Sequence, residues 1–67
     1  MSRMLENLTI QQLAIAQGVA KGWTNALIAQ DLKIATQTVK NELNRIYDNL
    51  GLRNRVDLAA FMLKGAK

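Results

Sequence analysis

Sixty-seven residues hold nine Lys/Arg, five Asp/Glu and no His, Cys or Pro, for a net charge of +4. That length fits one domain over residues 1–67 with a single small core, because a chain of this size buries only about 60% of the surface its unfolded form exposes. Without Cys there is no disulfide, thiolate nucleophile or zinc knuckle, and without His acid–base chemistry would rest on Glu6, Asp31, Glu42, Asp48 and Asp57, scattered along the chain. An enzyme is not expected, and neither is a metal, a cofactor or a small-molecule ligand. The pI near 10.0 suits a polyanionic partner. No apolar run approaches the roughly 18 residues that span a bilayer, and the N-terminus has no signal-peptide core, so a cytoplasmic domain without membrane contact is expected.

The composition favours helices: Ala, Leu and Ile dominate, only Trp23, Tyr47 and Phe61 are aromatic, and no period-2 alternation is sustained. The first helix is expected over 10–21. Thr9-Ile10-Gln11-Gln12 has the form of a capping box, and Leu8 and Leu13 stand where a hydrophobic staple would close it. Leu13, Ile15, Ala16, Val19 and Ala20 mark its apolar face, and Gly22 ends it. Gly18 inside it costs about 1 kcal/mol against Ala, so either something packs closely there or the helix is locally weak. A short second helix, 25–32, is capped by Thr24 and turns Leu27, Ile28, Ala29 and Leu32 inward. After Lys33-Ile34-Ala35 a third helix runs over 36–50, stopped by Gly51; Val39, Leu43, Ile46, Tyr47 and Leu50 form one stripe. A fourth helix, 55–64, follows Asn54 as N-cap, with Asp57 at the third position favoured by the helix dipole, and precedes Gly65. The fold expected is an all-α, compact four-helix bundle with its motif region over 8–64.

Helices two and three form a helix-turn-helix: about two turns, a tight connection and a longer second helix. In such a unit one face of the second helix is buried and the other enters the major groove. The face opposite the apolar stripe carries Gln37, Lys40, Asn41, Asn44 and Asp48. Asn and Gln pair bidentately with adenine and Lys donates to guanine, so Gln37, Lys40, Asn41 and Asn44 are the candidate base readers. Thr36 and Thr38 lie at the helix start, where hydroxyls and free amides hold phosphates.

The stretch from Leu8 to Phe61 resembles the LuxR-type (LuxR/FixJ/GerE-like) helix-turn-helix domain, the output module of many bacterial transcriptional regulators. The motifs are Leu8-Thr9, Ala20-Lys21-Gly22-Trp23-Thr24-Asn25, Ile28-Ala29-Gln30-Asp31-Leu32, and Thr38-Val39-Lys40-Asn41 with Leu43, Ile46-Tyr47, Leu50-Gly51 and Arg53-Asn54-Arg55 in one register. The resemblance implies binding of double-stranded DNA with the third helix in the groove, Lys40 in contact and Asn41 and Asn44 setting preference. Phosphate contacts are expected at Thr24, Asn25, Thr36, Thr38, Arg45 and Arg53. The fourth helix is expected to make a weak homodimer through Leu58, Phe61 and Met62, residues that could equally close the core. Arg53 and Arg55 could instead pair within the fold, Arg55 with Asp57 or a helix C-terminus.

The chain departs from the family pattern at five places. Gln12 and Leu27 stand where Glu is usual, Lys33 where Gly is, Ala35 where Ser is and Glu42 where His is. Ala35 lacks the N-cap hydroxyl of the third helix unless Thr36 takes it over. Glu42 would be repelled by phosphates unless Arg45 neutralises it, Arg45 also being within reach of Asp48, or unless Glu42 itself accepts from cytosine. Glu42 in the third helix, the modest net charge of +4 and the lack of a sensor domain within these 67 residues support a rival reading, in which the chain is a protein-interaction module or an inhibitor that pairs with a related transcription factor.

Overall fold

A computed structural model describes residues 8–64. Four helices follow in order, α1 Ile10–Ala20, α2 Asn25–Leu32, α3 Thr36–Leu50 and α4 Arg55–Leu63, each within a residue of the bounds its capping signals predict. Gly65 lies outside the described residues. The α1 capping box is complete: Gln12 N–H donates to Thr9 Oγ1 at 3.0 Å, and Thr9 N–H donates to Gln12 Oε1 at 3.1 Å. Thr24 Oγ1 accepts from Leu27 N–H at 3.1 Å and Asn54 Oδ1 from Asp57 N–H at 3.0 Å, which caps α2 and α4.

Three helices end on a left-handed residue. Gly22 (φ 84°) follows α1, and Gly51 (φ 70°) closes α3. Both glycines adopt this conformation without steric cost. At the end of α2 the same task falls to Lys33, at φ 59° and ψ 45°. There a Cβ crowds the backbone, at a cost of about 1–2 kcal/mol. The turn survives because Lys33 N–H and Ile34 N–H satisfy the carbonyls of Gln30 and Ala29 at 3.3 and 3.0 Å. The glycine implied by the family pattern is the residue this geometry prefers.

α1 packs on both α3 and α4, and α2 packs on α3, so the helix-turn-helix is carried by α1 with α4 behind it. Ile15, Ala16 and Val19 of α1, Ile28 and Ala29 of α2, Val39, Leu43, Ile46 and Leu50 of α3 and Leu58 of α4 form the core. Burial at the usual ~25 cal/mol per Å² of apolar surface makes this cluster the main source of stability. Gly18 is explained by close approach rather than weakness: a Cβ there would lie 2.7 Å from Ile28 Cγ1.

Three expectations about faces need correction. The buried side of α1 is centred on Gln12, Ile15, Ala16 and Val19, while Leu13 and Ala20 are only half-buried. The face is rotated because Gln12, a polar residue, belongs to it. Leu27 is 49% exposed and not an inward residue of α2. Leu58 is fully buried, which removes it from any dimer face, and Phe61 and Met62 pack against the same core from the side. The outward side of α4 is instead Val56, Ala60 and Leu63, spaced i, i+4 and i+7, with Val56 and Leu63 75% and 73% exposed.

Candidate nucleic-acid interface

On α3 the two faces are sharply divided. Val39, Leu43, Ile46 and Leu50 are buried, and Gln37, Lys40, Asn41, Asn44 and Asp48 are all exposed on the opposite side. The helix repeat of 3.6 residues places these five in one row along the axis. Within the row Gln37 Nε2 donates to Asn41 Oδ1 at 3.1 Å. That bond leaves the Gln37 carbonyl as an acceptor and the Asn41 amide as a donor, side by side. Lys40 and Asn44 make no side-chain hydrogen bond or ion pair among the described residues.

Glu42 does not join this row. It stands three residues after Val39 and four before Ile46, so it flanks the buried stripe, and its Oε1 accepts from Gln12 Nε2 at 2.8 Å. Its Oε2 lies 3.6 Å from Arg45 Nη1, and the Glu42 side chain is only 16% exposed against 70% for Arg45. Glu42 is thus half-buried between α1 and α3, and the expected contact between Arg45 and Asp48 is absent among the described residues. The sequence signal was available in the spacing but was masked by the charge.

The start of α3 has no side-chain cap: Ala35 is extended, at φ −71° and ψ 147°, and Thr36 does not replace the missing hydroxyl. The first two amides of α3, those of Thr36 and Gln37, have no intrahelical acceptor. Thr36 is exposed and Thr38 half-buried beside them. At the start of α2, Thr24 is exposed with its oxygen engaged in the cap, while Asn25 is half-buried.

Asn25 is gripped from α4. Arg55 Nη1 donates to Asn25 Oδ1 at 2.6 Å, and Arg55 Nη2 donates to the Trp23 carbonyl. Arginine has no acceptor, so the Asn25 oxygen must face it and the Asn25 amide nitrogen is the group left over. Arg55 therefore does not pair with Asp57; Arg53 does. Arg53 Nε and its backbone N–H both donate to Asp57 Oδ2, at 2.9 and 3.1 Å. These bonds hold the Asp57 carboxyl below its ordinary range, the side-chain bond being the larger cause. Arg53 itself remains 84% exposed. Trp23 is half-buried against the core with Lys21 Nζ 4.8 Å from the ring centroid, a packing residue. Arg55, which grips Asn25, is the residue at this face that no local sequence pattern reveals, while Gln12 and Glu42 pair between α1 and α3, away from the exposed row.

No group of His, Cys, Asp or Glu that could hold a metal occurs among the described residues, and no described helix is long and apolar enough to cross a membrane.

Four helices with a polar-faced third helix after a tight turn define a helix-turn-helix domain. The chain belongs to the bacterial regulatory proteins of the luxR family, whose pattern it matches over residues 6–62. The family is one of DNA-binding transcription regulators and is not enzymatic. The chain is similar to the probable transcriptional regulatory protein SgaR of Hyphomicrobium methylovorum, 43% identical over 51 residues, or 76% of this chain and 24% of that protein. The transcriptional regulatory protein YdfI of Bacillus subtilis is 32% identical over 57 residues, 85% of this chain and 27% of its own length. The HTH-type transcriptional regulator AlkS of Alcanivorax borkumensis is 41% identical over 49 residues, 73% of this chain and 6% of its own. The chain thus spans about a quarter of the first two relatives and far less of the third.

Proposed function

We propose that the chain reads double-stranded DNA by sequence, with α3 in the major groove, as a cytoplasmic transcriptional regulator or its output domain. The observation that carries this reading is the exposed row Gln37, Lys40, Asn41 and Asn44, set directly opposite the buried stripe of the same helix. Lys40 suits the guanine acceptors O6 and N7. The coupled Gln37–Asn41 pair offers one acceptor and one donor side by side, which is what the major-groove edge of adenine requires. Asn44 extends the row by one helical turn. Thr24, Asn25, Thr36, Thr38, Arg45 and Arg53 surround it as phosphate contacts, donating hydroxyl, amide or guanidinium hydrogens.

One copy has few such contacts, so useful affinity calls for two copies on half-sites about 34–36 Å apart. The outward apolar row of α4, Val56, Ala60 and Leu63, supports a weak homodimer through that helix. Fluorescence anisotropy with random-sequence duplex DNA tests the reading. Binding should weaken steeply as salt rises, since each neutralised phosphate releases a counterion. Affinity that is absent, or indifferent to salt, contradicts it and favours a protein-interaction module.

A further inference from the structure

Gln12 is the one buried polar side chain among the described residues, at 6% exposure. Both ends of its amide are engaged. Oε1 accepts from Thr9 N–H at 3.1 Å, and because a backbone N–H only donates, Nε2 has to turn the other way and find an acceptor. It finds Glu42 Oε1 at 2.8 Å, thirty residues along the chain and near the middle of α3. Among the described residues this is the only side-chain hydrogen bond between α1 and α3.

We propose that the Gln12–Glu42 bond sets the rotation of α3 about its own axis, which makes Glu42 a positioning residue for sequence preference although it does not face the groove. The inference rests on the DNA-reading function proposed above. Apolar contacts along Val39, Leu43, Ile46 and Leu50 are non-directional and tolerate small rotations of the helix. A hydrogen bond from a buried amide to a carboxylate is directional and stronger than a neutral one. On a helix of radius ~6 Å, a rotation of about 10° moves a side-chain tip by about 1 Å, which is enough to lose a base contact. Lys40 and Asn44 lie two residues before and two after Glu42, so any rotation the bond prevents would be felt in full by both.

The test exchanges the two partners. Gln12→Glu keeps an acceptor for Thr9 N–H but sets carboxylate against carboxylate and removes the bond. The double variant Gln12→Glu with Glu42→Gln restores it with the donor on α3. For each protein, selection from a random duplex pool followed by anisotropy gives the ratio of affinities for the wild-type-selected duplex and a random duplex. Circular dichroism confirms that each variant is folded at the assay temperature. The single variant should lower that ratio about tenfold, with random-duplex affinity falling much less, and the double variant should recover it. Glu42→Ala, which also removes the bond, should lower the ratio as the single variant does and serves if Gln12→Glu does not fold. A ratio unchanged in the single variants, or one that the exchange fails to restore, overturns the proposal, because a purely structural joint would shift thermal stability and leave the ratio alone. A wild-type chain that enriches no sequence overturns the sequence-reading function itself, and that arm is read without any variant.

Discussion

Helices α3 and α4 both bury one side and expose the other, but what they expose differs. α3 shows water a polar row, and its faces can be read from the sequence because the apolar residues recur at helical spacing and nothing else on the helix is apolar. α4 reads Val56, Leu58, Ala59, Ala60, Phe61, Met62 and Leu63, apolar nearly all round, so periodicity could not say which side is buried. The structure assigns Leu58 to the core and leaves Val56, Ala60 and Leu63 outside. A polar outward face fits a hydrated polyanion; an apolar one fits a second protein surface.

The largest effect should come from breaking the inner side of α4. Leu58→Ala should destabilise the fold by about 2–5 kcal/mol, as a large-to-small change at a fully buried site. Leu63→Lys, one exposed position on the other side, should change stability by no more than about 0.5 kcal/mol. Urea unfolding of the two variants separates them, and equal losses would erase the distinction between the two sides of α4.

On α3 the corresponding probe is Lys40→Ala. DNA binding should weaken by about 1–3 kcal/mol with relaxed preference at one base pair if Lys40 reads guanine. If it touches phosphate alone, the loss should be uniform across sequences and the log–log salt slope should flatten by about one. Folding stability should stay within about 0.5 kcal/mol in either case. A variant that binds every duplex as wild type does takes Lys40 out of the interface.

A smaller gain is available at the entrance of α3. Ala35→Ser supplies the missing cap at an exposed, extended residue and should stabilise the fold by about 1 kcal/mol. In a domain of this size that raises the thermal midpoint by about 4–8 °C. No rise would mean that the hydroxyl does not reach the free amides.

The smallest effect concerns acid. The carboxyl of Asp57 is held below its ordinary value of 3.8 in the folded chain, so its contribution is present above that value and lost as pH falls through the lower folded one. Because Asp57 is solvent-screened, the drop in thermal midpoint between pH 5 and pH 2 should be only slightly shallower in Asp57→Asn than in wild type. A steeper drop in the variant would reverse the sign of the coupling.

The helices and their ends were legible because local chemistry fixes them: Thr9, Thr24 and Asn54 cap, and Gly22 and Gly51 turn the chain out. Three features were not. Lys33 in a left-handed turn runs against intrinsic preference and is held by the backbone bonds that close the end of α2. Arg55 reaches Asn25 and Trp23 across some thirty residues, which no local pattern encodes. The charge of Glu42 suggests a place near DNA, whereas its flanking position beside the apolar stripe carries it to Gln12. Those two residues are also two of the five departures from the family pattern, and in the fold they touch.

The central claim is that α3 meets DNA while α4 does not, and amide chemical-shift mapping during titration with a selected single-half-site duplex tests it most directly. The largest shifts should fall on Thr36 to Arg45 and on Thr24 and Asn25, with Val56, Ala60 and Leu63 nearly unmoved until a two-half-site duplex brings a second copy alongside. Largest shifts along α4 on the single half-site, with Gln37 to Asn44 unmoved, would contradict the account.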